Sequence, residues 1–236
     1  MSLMTSTVAM KARRVGRAMG LNRLLAGLLR GQNYEEKFSA MMLANVRQGD
    51  CVWDIGANIG FYATKFAERA GDDGHVVCFE PSPINTAMLR EAIKGMANIT
   101  VQQVALGAAR GRVSFSQGLD ELGATSRVLA SGEQHSVGVI EVDVERGDDL
   151  LSAGNVPFPT ILKIDTEGFE LDVLMGLQDT IKSSSVRAVF IEVHFSLLAE
   201  RGQSNAPGEI ERILKDAGFQ CAWPDASHIA AFRPPV

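Results

Sequence analysis

The chain has 236 residues, 46% hydrophobic and 22% charged, which is enough apolar material for a substantial core without disulfide or metal staples. Its formal net charge of -5 hides an asymmetry: residues 1–34 hold Lys11, Arg13, Arg14, Arg17, Arg23 and Arg30 and no acid, so +6 there leaves -11 over the remainder. An acidic body with only 6% aromatic residues argues against nucleic-acid binding along a phosphate track, and no run of about 18 uncharged apolar residues is present to span a membrane.

Among the bases of segment 1–34, Val8, Val15, Met19, Leu24, Leu25, Leu28 and Leu29 recur at roughly helical spacing, which predicts a basic amphipathic helix broken near Gly20. Such a helix either lies on an anionic membrane surface or lipid-linked substrate, or packs on the main domain as a lid or wall; the second reading is preferred. Residues 35–236 show no internal repeat and no long linker, so they read as one domain. Cys51, Cys78 and Cys221 are odd in number and embedded in apolar runs, the pattern of buried thiols in a reducing, cytoplasmic setting. His75, His135, His194 and His228 show no paired ligand spacing, and no metal is expected.

Next in order comes a helix over 35–46, then a strand over 51–55, a helix over 60–70, a strand over 75–80, a helix over 84–95 and a strand over 99–105. This β-α-β-α-β order calls for a parallel sheet. Residues 111–144 break the rhythm, with strand-like 112–116 and 137–144 flanking a polar loop suited to substrate recognition. Strands over 160–164 and 186–193 are separated by a helix over 169–183. A helix over 209–217 and a closing antiparallel hairpin of 219–223 and 228–232 finish the chain.

The first strand ends in Asp54-Ile55-Gly56-Ala57-Asn58-Ile59-Gly60, where Gly56 permits a sharp turn and Gly60 lets the next helix pack closely. Glu80 ends the second strand, 20 residues after Gly60, and can accept hydrogen bonds from both hydroxyls of a ribose. The ligand is therefore read as a nucleoside. A dinucleotide fingerprint would need a third glycine and no carboxylate facing a pyrophosphate. Asp54 instead suits a cation, and S-adenosylmethionine, with its ammonium and sulfonium, fits both ends.

Ligands of open parallel sheets bind beyond the carboxyl ends of the strands. There the period of two places Lys163 with Asp165, and Glu192 with His194. Charges inside apolar strands are costly unless paired or used. The structural alternatives are a buried Lys163–Asp165 ion pair, Glu167 as a helix cap, and His194 as a satisfied histidine at a strand end. Gly168 reads as a backbone requirement.

Together the runs Asp54–Gly60, Phe79-Glu80-Pro81-Ser82-Pro83, Val104-Ala105-Leu106-Gly107, Leu162–Glu170 and Ile191–His194 resemble the FkbM family of S-adenosylmethionine-dependent methyltransferases. The resemblance implies an α/β class I methyltransferase (Rossmann-like) fold, mostly parallel with a C-terminal antiparallel hairpin and helices on both faces. It also implies O-methylation of a sugar, glycolipid or polyketide-like hydroxyl. Cofactor contacts are placed at Asp54, Gly56, Asn58, Gly60, Glu80, Pro81, Ala105 and Asp165. Catalytic roles fall to Lys163, Asp165, Glu167 and His194, with Lys163 and Asp165 as an orienting pair and His194 as the favoured proton acceptor. A divalent ion on Asp165 finds no second ligand in the sequence. An NAD(P)-dependent oxidoreductase and a non-catalytic nucleoside-binding domain are the alternatives.

Overall fold

Residues 36–116, 127–128 and 138–234 are described by a computed structural model; the basic segment 1–34 and its expected helix lie outside them. The chain divides into two units, Met1–Met41 and Met42–Val236, and the division falls inside the first described helix, α1 (residues 36–45).

The second unit is built on a seven-stranded sheet. Its strands are β1 (Cys51–Ile55), β2 (His75–Phe79), β3 (Ile99–Gln102), β8 (Ile161–Ile164), β9 (Ala188–Glu192), β10 (Gln220–Ala222) and β11 (His228–Phe232). The spatial order is β10-β11-β9-β8-β1-β2-β3. β11 runs antiparallel to both its neighbours, so the expected hairpin closes an otherwise parallel sheet. β1 lies at the centre with all five residues buried, which is why it reads as a near-continuous apolar run. Trp53 on it packs against Phe79 with ring centroids 4.9 Å apart and donates its indole N–H to the Pro157 carbonyl at 3.0 Å.

Two helices connect these strands where the periodicity placed them. α2 (Phe61–Ala70) buries Ala63, Phe66, Ala67 and Ala70, one stripe of a 3.6-residue period. α3 (Pro83–Ala92) starts with Pro83 in its first turn behind Ser82, whose hydroxyl accepts from the Asn85 N–H at 3.3 Å.

The predicted strand over 99–105 is in fact two. After β3 the chain leaves the main sheet, and β4 (Ala105–Leu106) pairs with β7 (Val139–Glu145) in a second, four-stranded sheet ordered β4-β7-β5-β6, where β5 is Gly111–Ser116 and β6 is Arg127–Val128. The predicted helix over 169–183 is likewise shorter: α5 spans Glu170–Met175 and is followed by turns. Two helices went unpredicted, α4 (Gly147–Ser152) and α6 (Phe195–Glu200), both too short for a periodic signal. Asp148 of α4 is tied by long-range bonds, accepting from the backbone of Asp179 and Thr180 and from the Thr180 hydroxyl. The last helix, α7 (Ala206–Asp216), begins three residues before its expected start.

The register positions the site. Ile55 lies opposite Phe79 on one side and Ile164 on the other, and Ile164 lies opposite Ile191. The carboxyl ends of β2, β1, β8 and β9 therefore finish level, and Glu80, Gly56, Asp165 and the Glu192–His194 segment emerge along one edge.

Candidate active site

Gly56 turns the chain at the end of β1 with φ of 79°, and a Cβ there would sit 1.8 Å from the Asp165 carbonyl oxygen, so only glycine lets the β1 and β8 ends approach this closely. The N–H groups of Gly56 and Ala57 both donate to the Phe79 carbonyl, at 2.9 and 3.1 Å. Glu80 completes the turn: Oε2 accepts from the Asn58 N–H and Oε1 from the Ser82 N–H, each at 2.9 Å. Burial lifts its pKa to about 7, against the opposing pull of these two N–H groups. Each carboxylate oxygen keeps an acceptor site for a further donor.

A cleft opens beside this turn, lined by Gly56, Asn58, Glu80, Pro81, Ala105 and Asp165 of the expected cofactor set. Phe79, Leu106, Phe115, Val128 and Phe169 add apolar lining, two of them, Phe115 and Val128, from the interrupted region after β4. Two side-chain oxygens in the lining, Asn58 Oδ1 and Thr166 Oγ1, are buried without a hydrogen-bond partner among the described residues. Buried polar atoms left unpaired in a cleft call for a ligand. An apolar wall for a base, a carboxylate for a ribose and spare acceptors for an ammonium fit S-adenosylmethionine.

Two expected cofactor contacts lie elsewhere. Gly60 caps α2 with φ of 92°, and its missing Cβ makes room for Leu89 of α3, which is the close helix packing anticipated for it. Asp54 is fully buried and does not line the cleft. Its Oδ1 lies 3.0 Å from Lys163 Nζ, directly across the β1–β8 register, so the carboxylate meets a cation of the protein itself. Lys163 also donates to the Gly56 carbonyl at 2.9 Å and lies 3.4 Å from Asp165 Oδ2. Burial works against its charge, but Asp54 and Asp165 outweigh burial and hold its pKa above the ordinary lysine value. The lysine is a strut beneath the cleft, tying the glycine turn to the end of β8.

The four expected catalytic side chains converge in two linked groups. Beside the Lys163–Asp165 pair, His194 Nε2 lies 3.2 Å from Glu167 Oε2 and 3.9 Å from both Asp165 Oδ1 and Glu192 Oε1. Its Nδ1 is 2.9 Å from Oε1 of Glu170, which is fully buried. Burial alone would depress the His194 pKa; Glu170 first, then Glu167 and Asp165, reverse this and raise it to about 9. His194 is thereby held towards the imidazolium, and Glu167 stands beside it as a second candidate for the proton acceptor. Glu167 is pushed up to about 7, by burial foremost, with His194 pulling it down and Asp165, Glu192 and Glu170 pushing it up. The sequence offered Asp165 no companion ligand, yet one atom each of Asp165, Glu167 and His194 lies within 4.8 Å of the others.

The Methyltransferase FkbM domain matches residues 54–221. The chain belongs to the FkbM methyltransferase family. It is similar to the hexuronic acid methyltransferase AglP of Haloferax volcanii, at 27% identity over 78% of this chain and 69% of that protein. It is also similar to the 31-O-demethyl-FK506 methyltransferase FkbM of Streptomyces tacrolimicus, at 29% identity over 74% of each. Among solved structures, a putative rRNA-methylase from Clostridium thermocellum shares the fold with a TM-score of 0.51 at 10% identity, over 86% of this chain and 96% of that one. As an FkbM-family member the chain is an S-adenosylmethionine-dependent methyltransferase, and the oxidoreductase and non-catalytic alternatives fall.

Two site residues escaped the sequence reading. Thr166 lay unremarked between the charged positions. Glu170 stood only as the end of the run Leu162–Glu170, although an acid flanked by Phe169, Leu171, Val173 and Leu174 is a signal of burial.

Proposed function

We propose that this FkbM-family enzyme methylates a hydroxyl of a small molecule or saccharide, and that Glu167 takes the hydroxyl proton. The observation that carries the reading is a partly buried glutamate at the edge of the cofactor cleft, its carboxylate 3.2 Å from His194 Nε2, where burial raises its pKa to about 7. A general base is most effective when its pKa lies near the working pH, and the expected contribution is roughly 10²- to 10⁴-fold.

When bound, S-adenosylmethionine supplies a methyl group on a sulfonium that is already a good leaving group. Glu80, Asn58, Pro81 and Ala105 are suited to hold its nucleoside end, and Asn58 Oδ1 and Thr166 Oγ1 offer acceptors for the ammonium. Lys163 keeps the two strand ends in register, so that Asp165 and Glu167 face the cleft from a fixed turn. Asp165, paired with Lys163, orients the acceptor. Glu167, a carboxylate at and above pH 7, accepts the acceptor's proton, and the His194 imidazolium 3.2 Å away favours the charged state that can do so.

The relatives' names support an acceptor of this kind: one acts on a hexuronic acid, a saccharide with hydroxyl and carboxyl oxygens, and the other on an O-demethyl compound, whose free hydroxyl is the acceptor. Titration calorimetry with S-adenosylmethionine, followed by a screen of saccharides and hydroxylated natural products for a 14-dalton mass gain, tests the proposal; that mass is about one methylene. On an accepted substrate, Glu167→Gln should keep cofactor affinity and lose about two orders of magnitude or more in kcat. Unchanged kcat in Glu167→Gln would remove Glu167 from the proton transfer.

A further inference from the structure

The geometry points to Glu170 as a positioning residue that anchors His194 through Nδ1 and keeps a positive charge turned towards Glu167 and Asp165. Glu170 lies in the first turn of α5, outside the cleft lining, with no exposed surface. One oxygen, Oε1, accepts both the Gly168 N–H at 2.8 Å and the His194 Nδ1–H at 2.9 Å. It thereby joins the turn after β8 to the segment leaving β9, the two stretches that carry Glu167 and His194.

The plainer account is that Glu170 only closes the turn at Gly168. A neutral acceptor would do that equally well, whereas burying a carboxylate is costly unless a cation stays beside it. The other oxygen, Oε2, is buried with no hydrogen-bond partner, so the charge is not used for extra bonds to the turn. What uses it is the imidazole. With Nδ1 engaged, Nε2 is left for Glu167 at 3.2 Å, and for Asp165 and Glu192 at 3.9 Å. Glu192 turns its other oxygen to His228, 3.5 Å away, which is held in turn by Asp225, and Asp165 is shared with Lys163. Of the four carboxylates around His194, Glu170 is the nearest and the most buried, and it makes the largest contribution to raising the His194 pKa.

The inference rests on the O-methylation reading for its consequence, but its test needs neither cofactor nor acceptor. The imidazole Cε1–H signals of the full-length protein are followed by NMR against pH, with His194 assigned from the signal lost in His194→Gln. In the native protein His194 should titrate between about pH 8 and 10. In Glu170→Gln, which keeps the acceptor oxygen and loses the charge, the midpoint should fall by at least one unit, about a tenfold loss of proton affinity, with cofactor affinity retained. A purely structural Glu170 would lower the melting temperature of Glu170→Gln and leave the His194 midpoint in place, and that result overturns the proposal. If the variant fails to fold, a native His194 midpoint below 7 overturns it equally. A failed product screen leaves the test standing, and an unmoved His194 leaves the O-methylation reading standing.

Discussion

Glu80 serves two sets of donors, and its protonation links them. In the free protein its pKa of about 7 exceeds the ordinary 4.5, because burial penalises the carboxylate more than two N–H groups favour it. For a group whose folded pKa is raised, the contribution to stability is full below the unfolded value and is lost as pH climbs through about 7. The charged form is therefore the uncomfortable one until ribose hydroxyls donate to it. Cofactor binding should release a proton and strengthen as pH rises from 6 to 8, by up to about tenfold per unit below the pKa. Calorimetry in two buffers of different ionisation enthalpy reads that proton directly, and proton uptake or a pH-independent affinity would contradict it. The place of Glu80 in the cleft was legible because it follows from one contiguous pattern, an acid at the end of the second strand. Asp54 was not, since its partner Lys163 lies 109 residues further on and meets it only through the β1–β8 register. The charge on His194 was hidden for the same reason. It is set by four carboxylates from the turn after β8, from β9 and from α5.

At the scale of elements, two glycines of one turn do different jobs. Both have positive φ, 79° at Gly56 and 92° at Gly60, so alanine at either stores about 1–3 kcal/mol of backbone strain. What an added Cβ meets differs. At Gly56 it meets the backbone oxygen of Asp165 at 1.8 Å, which can yield only if β1 and β8 separate at their functional ends. At Gly60 it meets Leu89 Cδ1 at 2.5 Å, the far end of a side chain with rotamers to spare. Gly60→Ala should fold with a melting temperature lowered by a few degrees and keep its cofactor affinity. Gly56→Ala should lose cofactor binding by calorimetry even where circular dichroism shows it folded; equal losses in both variants would mean that the β1–β8 approach is not what the turn protects. The strands of the main sheet were readable because burial on both faces writes them as apolar runs. The second sheet was not. β4 is two residues long, and its pairing with β7 depends on chain that returns some 35 residues later. Nothing local distinguishes Ala105 and Leu106 from a continuation of β3.

For the molecule as a whole, the distribution of charge limits the acceptor. The residues beyond the first 34 carry a net charge of -11, and the structure shows where part of it is concentrated. Asp165, Glu167, Glu170 and Glu192 gather around one imidazole, with Asp165 and Glu167 lining the cleft. Even with His194 protonated and Lys163 paired, these four carboxylates and Asp54 outnumber the cations. A phosphodiester approaching Glu167 would meet this potential at close range, where little solvent intervenes to screen it. Sharing a fold with an rRNA-methylase does not change that, because the sheet carries the cofactor and the groups at its edge choose the acceptor. Tight nucleic-acid binding draws on several phosphate contacts to Lys or Arg, each of which releases counterions and steepens the salt dependence. The full chain should therefore leave the mobility of a single-stranded RNA of about 30 nucleotides unchanged at about 150 mM salt and micromolar protein. Binding that survives that salt would show that the six bases of residues 1–34 outweigh the acidic body, and the acceptor search would then move to nucleic acids. Without it, the acceptor search stays with the small molecules and saccharides proposed above.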